Sequence, residues 1–273
     1  MKIRRMGLGD LGSFTAMAFS PVELLRAFHR RWILTTLLVV TGIAVMARLG
    51  VWQLDRLDQR RAFNIRVLAQ ISRPELSLTG ETLNSDLVNM EYRPVIVRGE
   101  YDFSSQVALR NQAWEGRWGV HLLTPLHIQE TDSYVLVDRG WIPGEDYLAG
   151  DWSEYDEPGI QEVRGVIRAP QSKPDIGKRR DPTPMPGERI MAWNLANVQA
   201  ISQQVPHPLL PIYIQQAPDP TWKRLPARSQ PELDLTEGPH LGYALQWFAF
   251  AGLLGLGYPL YIRREERRRS GVA

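Results

Sequence analysis

The chain has 273 residues, 44% of them hydrophobic, and a formal charge of +2, so it is long enough for one good core or two small ones. It contains no cysteine, which excludes a disulfide framework, a thiolate metal site and a thiol nucleophile. Residues 1–31 carry six Lys/Arg against two acids and residues 263–273 five Arg against two Glu, leaving −5 between them. Two basic tails around an acidic middle differ from the basic folded face of a nucleic-acid binder, so no nucleic-acid partner is expected.

Residues 1–20 show no period and read as a loose tail. Ser20 as a cap and Pro21 at the first turn predict a short amphipathic helix through VELLRAFHRR. Val22, Leu25 and Phe28 or His29 fall on one side, and Arg26, Arg30 and Arg31 suit anionic headgroups, so membrane lipid is an expected partner. From Trp32 the chain is uncharged for 16 residues, and past Arg48 the run extends to 21 positions at Trp52. Arg48 lies near the far end, where a long side chain snorkels to the interface, and Trp32 and Trp52 stand at both edges. A cleaved signal peptide is the rival reading. The long lead-in, a core above 15 residues and the missing small-x-small site favour a retained anchor over 32–52.

Residues 53–71 continue as a helix, with Leu54, Leu57, Arg61, Ile65 and Leu68 at three- and four-residue spacing and Pro74 as the stop. The period then changes. Stretches 94–102, 106–112, 118–128, 133–143 and 160–170 are rich in β-branched and aromatic residues, with SSQ, EGR and QETD as hairpin-like loops. Close succession predicts an antiparallel meander or partly closed barrel, not βαβ units. Residues 171–189 read as an exposed Pro-rich loop and 191–194 as a short strand. Asn194 or Asn197 caps a helix through VQAISQQV, 209–217 is a further strand, and 218–239 is a tether.

The last apolar run, Leu241 to Ile262, holds 22 residues without a formal charge. At about 1.5 Å per residue it covers the roughly 30 Å core of a bilayer. The fold class expected is therefore two transmembrane helices flanking a mainly antiparallel β (α+β) domain. The segments are a tail at 1–31, spans at 32–52 and 240–262, a soluble domain at 53–239 and a basic tail at 263–273. Basic flanks place both tails in the cytoplasm and the domain on the periplasmic or outer side, with Arg56, Arg60 and Arg61 counting against that orientation. A bacterial inner membrane is the simplest setting.

No GxSxG, P-loop or dinucleotide fingerprint is present, and nothing joins a nucleophile, an acid–base pair and oxyanion donors, so no enzyme is expected. None of the five histidines falls in an HExxH pattern or at ligand spacing with carboxylates. His121 and His127 read as surface or edge residues and His207 as a loop residue. His240 stands at the mouth of the second span. It is either an interfacial residue or an axial haem ligand, for which a bilayer edge suits the apolar macrocycle. Tyr243 and Trp247 follow at helical spacing and would line the same wall of a groove, although an aromatic belt has the same pattern. In RGWIP (139–143) two accounts stand. One is a charged edge residue, a bulge glycine, a packed Trp and a turn proline. The other is a rim that meets a partner or a haem propionate through Arg139.

GVWQLDR (50–56), YRPVIVRGEYD (92–102), LLTPL (122–126), VLVDRGWIP (135–143), VRGVIR (163–168) and HLGYALQWFAFA (240–251) together resemble the surfeit-locus family of cytochrome c oxidase assembly factors. The resemblance covers Trp32 to Ile262. It implies two helices around a soluble domain and a role in maturing the oxidase's catalytic subunit, through haem a insertion or by stabilising an early intermediate. The implied partners are that subunit and haem a synthase. The family's histidine at the second span matches His240, its tyrosine Tyr243, and the glycine of its RGW motif Gly140. The implied role of His240 is a haem ligand, which makes haem a the implied cofactor. The residues before His240, TEGPH, depart from the family pattern. The alternative is a scaffold that binds an oxidase intermediate and carries no haem.

Overall fold

The computed structural model describes residues 30–173, 181–182, 189–230 and 233–271. The expected loose tail, all but the end of the amphipathic helix, and most of the Pro-rich loop lie outside the described residues. In chain order the elements are α1 (Ile33–Ile71), β1 (Leu76–Ser77), β2 (Pro94–Tyr101), β3 (Val107–Trp114), β4 (Arg117–Ile128), β5 (Tyr134–Pro143), α2 (Gly144–Ala149), β6 (Ile160–Arg168), β7 (Ala192–Trp193), α3 (Val198–Ser202), β8 (Leu209–Gln216) and α4 (His240–Ser270). They form two compact units, one of the chain up to Arg61 together with Thr236 onward, the other Ala62–Leu235.

In the first unit, α1 and α4 are long and apolar enough to cross a membrane. Only 11% and 6% of their most apolar stretches are buried, which sets them apart from core helices of a soluble protein. They run antiparallel. Trp32 meets Tyr261 edge-on with ring centres 6.0 Å apart, and Thr36 Oγ1 lies 2.7 Å from the Tyr258 hydroxyl. Small residues let the helices close on each other, because a Cβ at Gly50 would stand 2.7 Å from the Phe248 ring.

The second unit is built on one eight-stranded sheet. β2, β6, β8, β5 and β4 pair in succession, and β4 returns to β2 through Gly99↔Ile128 and Tyr101↔Leu126, so the five strands close into a ring. Closure depends on the length of β4, whose first part pairs with β3 and whose last part pairs with β2. Alternation fills the interior: Val95, Val97 and Tyr101 from β2, Val163 and Ile167 from β6, and Ile212 and Ile214 from β8 meet Leu126, Ile128, Val135 and Val137. β5 is also covered outside the ring, where Leu136 packs with Trp193, Val198, Ile201 and Tyr213. It is therefore buried without alternation from Val135 to Pro143, Asp138 and Arg139 included.

The expected meander holds for β3, β4 and β5 alone. EGR makes a two-residue hairpin, with Glu115 (φ 49°) and Gly116 (φ 76°) both left-handed as the strand twist requires. QETD joins β4 to β5. SSQ joins no hairpin: its serines lie in a 3₁₀ turn, Phe103–Ser105, and β2 pairs with β6 and the far end of β4. β6 does not meet β5, because β8 lies between them, parallel to β5 and antiparallel to β6. Asn197 caps α3, its Oδ1 accepting from Ala200 N at 3.2 Å.

Candidate functional site

His240 opens α4 directly after Pro239. The chain leading to it is tied to α1: Arg60 Nε donates to Thr236 O at 3.0 Å, and Arg61 grips both Glu237 carboxylate oxygens at 2.9 Å. The Arg61 hydrogen bonds hold the Glu237 carboxyl below its ordinary value. His240 itself is half-buried, with Nδ1 2.9 Å from Gln53 Oε1. Tyr243 is 47% exposed, and Trp247 is half-buried with its ring edge-on to Phe250. Spaced at i, i+3 and i+7 on one helix, the three share a face. Ala244, next to them, is buried.

Among the described residues no group of three or more His, Cys, Asp or Glu side chains gathers to hold a metal ion. A single imidazole suffices only for a metal that brings its other ligands with it, as a porphyrin iron does. His240 has that imidazole, an accessible aromatic neighbour in Tyr243 and an apolar helix below, so the residues fit an axial ligand beside a macrocycle.

Arg139 is placed differently from the rim that the sequence suggested. It is 0% exposed. Its Nε and Nη2 bond Glu157 Oε1 at 3.2 and 2.9 Å, Nη1 bonds Gln106 Oε1 at 3.0 Å, and Nη2 also bonds the Tyr155 carbonyl. Its carbon lies 4.9 and 5.1 Å from the ring centres of Tyr101 and Phe103. Glu157 in turn accepts from Arg228 Nη2 at 2.7 Å. A guanidinium so engaged presents no free fork to an outside carboxylate. The cation tolerates burial because Glu157, from the segment before β6, supplies its counter-charge.

Gly140 is likewise internal. Its φ of +119° is disfavoured for any side chain, and a Cβ there would stand 2.4 Å from Ala227 O. That approach serves the bridge beside it, in which Trp141 N donates to Ala227 O at 2.9 Å and Ala227 N to Trp141 O at 2.8 Å.

Two groups of histidines were not legible as such. His121 is no surface residue: its Nδ1 lies 3.0 and 2.9 Å from the two Asp138 carboxylate oxygens, and both side chains are largely buried. Burial would lower its pKa, but the charge of Asp138 and its hydrogen bond together raise it. Leu123↔Asp138 and His121↔Trp141 are neighbouring register pairs on either side of a β-bulge, which the sequence alone does not reveal. His127 and His207 flank the Tyr134 ring at 4.7 and 4.3 Å. Gln53 was also missed as a residue of interest. It stands in the quoted GVWQLDR stretch, but its partner is 187 residues away.

A model of the SURF1 family matches residues 40–252, a span that contains Gln53, Arg139, Gly140, His240, Tyr243 and Trp247. Surfeit locus protein 1 of Rattus norvegicus is 24% identical over 242 residues, covering 82% of this chain and 73% of that protein. The SURF1-like protein of Rickettsia felis is 27% identical over 233 residues, 84% of this chain and 97% of its own length. Surfeit locus protein 1 of Homo sapiens is 24% identical over 261 residues, 89% and 79% respectively.

Proposed function

The chain belongs to the SURF1 family, and from that premise we propose that it is a membrane-anchored, non-enzymatic assembly factor for cytochrome c oxidase that holds haem a at His240 while the catalytic subunit matures. The observation that carries this reading is His240 itself. It lies at the entrance of a membrane-length helix, within the matched span, with one ring nitrogen engaged by Gln53 and Tyr243 exposed beside it. Bound haem a would supply the redox iron and a flat apolar surface. Nε2 of His240 would be the atom that holds the iron, and Tyr243 and Trp247 would offer aromatic surface from the same helix face. In this reading the sheet domain faces the periplasmic side of a bacterial inner membrane, which the basic flanks support and Arg56, Arg60 and Arg61 oppose, and the partners are the oxidase subunit and haem a synthase.

The test is the absorption spectrum of the full chain, purified in detergent after co-expression with haem a synthesis. A Soret band that disappears in His240→Ala, with the fold retained, upholds the reading. A band that persists unchanged removes His240 as ligand. A haem-free scaffold has one observation in its favour: Arg139 and Gly140, both in the RGW motif, are spent on the interior of the sheet domain. Co-isolation of the oxidase subunit with unpigmented protein would favour that second reading.

A further inference from the structure

We propose that Gln53 is the positioning residue of His240, holding the imidazole as the Nδ1–H tautomer and presenting the Nε2 lone pair to a metal. The proposal rests on reading His240 as an axial ligand. Gln53 Oε1 lies 2.9 Å from His240 Nδ1. A carboxamide oxygen has no proton to give, so the imidazole nitrogen donates. In a neutral ring with its proton on Nδ1, Nε2 carries the lone pair that binds iron, and a fixed partner on the far nitrogen sets both ring orientation and ligand strength.

The packing around this bond holds it in place from two sides. One turn before Gln53 on the same face of α1, Gly50 packs against the Phe248 ring. Phe248, buried Ala244 and His240 follow one another at four-residue steps along α4, so the close contact at Phe248 sets the height at which His240 meets Gln53. From the other side, Arg61 and Arg60 fix Glu237 and Thr236, just before the histidine. Neither helix can slide or turn without breaking one of these contacts. The arrangement also explains why the GVWQLDR stretch belongs with HLGYALQWFAFA although they lie at opposite ends of the chain.

The full chain with ¹⁵N-labelled histidine rings, in detergent micelles without haem, reports the tautomer directly. The His240 signals are assigned from their absence in His240→Ala. The expected wild-type result is a protonated Nδ1 and an unprotonated Nε2. Gln53→Leu should lose that preference, and Gln53→Glu, whose carboxylate is still an acceptor, should keep the proton on Nδ1. A protonated Nε2 in the wild type, or the same tautomer in Gln53→Leu, overturns the proposal. In a haem a titration of the same variants, Gln53→Leu should bind about 10–100-fold more weakly and Gln53→Glu should remain near wild type. Equal binding by wild type and His240→Ala removes the ligand reading but leaves the tautomer result, which by itself upholds or overturns the role of Gln53.

Discussion

Replacing Gly140 by alanine adds a single methyl group and should cost a large part of the sheet domain's stability. The backbone there has φ +119°, and the new carbon would stand 2.4 Å from the Ala227 oxygen and 2.8 Å from its carbonyl carbon. Both atoms are backbone and cannot swing aside. Relief requires moving the segment around Ala227, which breaks the two-way Trp141–Ala227 bridge and pulls on Arg228, the next residue and a partner of Glu157. Strain of about 1–3 kcal/mol at a glycine-only φ, with two hydrogen bonds at roughly 1 kcal/mol each, gives a loss of about 3–5 kcal/mol. For a domain of this size that is a fall in Tm of roughly 6–20 °C. The assay is thermal unfolding of the full chain in detergent, followed by tryptophan fluorescence, since Trp141, Trp193 and Trp152 are all buried in this unit. Valine should be little worse than alanine, because the first carbon already meets the obstruction. A Gly140→Ala protein that melts within about 2 °C of wild type would refute the reasoning.

Arg139→Met should cost about 3 kcal/mol, because it leaves the Tyr155 carbonyl without its donor, Gln106 Oε1 with Thr124 alone and Glu157 with Arg228 alone. Chemical denaturation midpoints check this, and a loss of haem a binding with unchanged stability would instead give Arg139 a ligand role. His121 titrates above its ordinary value, so its pairing with Asp138 stabilises the folded state fully below the ordinary histidine pKa and fades as pH rises through the raised one. Compared with His121→Gln, wild-type Tm should therefore fall more steeply as pH rises above the ordinary histidine value of about 6.5, and parallel curves would count against the pair. Tyr213, paired with Leu136 on the neighbouring strand, has a hydroxyl that burial pushes up to about 12, so it stays neutral across this range.

The limits of legibility follow from distance along the chain. Helices α1 and α4 were readable because a bilayer-length apolar run is a local property, as is the Glu115–Gly116 hairpin turn. Strand positions were readable from composition, whereas their neighbours were not: β8 inserts between β5 and β6 after about 40 intervening residues, and nothing in its sequence states which edges it will fill. The RGWIP stretch shows the same limit at one residue. An arginine at a strand end looks like a rim residue until Glu157, eighteen positions on, folds under it. The buried pair of His121 and Asp138 needs a hairpin register with a bulge before the two side chains meet.

The sequence by itself determined where the membrane-length helices lie, that β structure fills the middle of the chain, and that His240 stands at the mouth of the second helix. Each of these depends on residues within a few turns of one another. Tertiary structure alone decided that five strands close into a ring, that Arg139 and Gly140 serve its interior, and that Gln53 meets His240. Those outcomes are set by pairings between residues tens to nearly two hundred positions apart, where burial and hydrogen-bond geometry choose the partner and local propensity is silent.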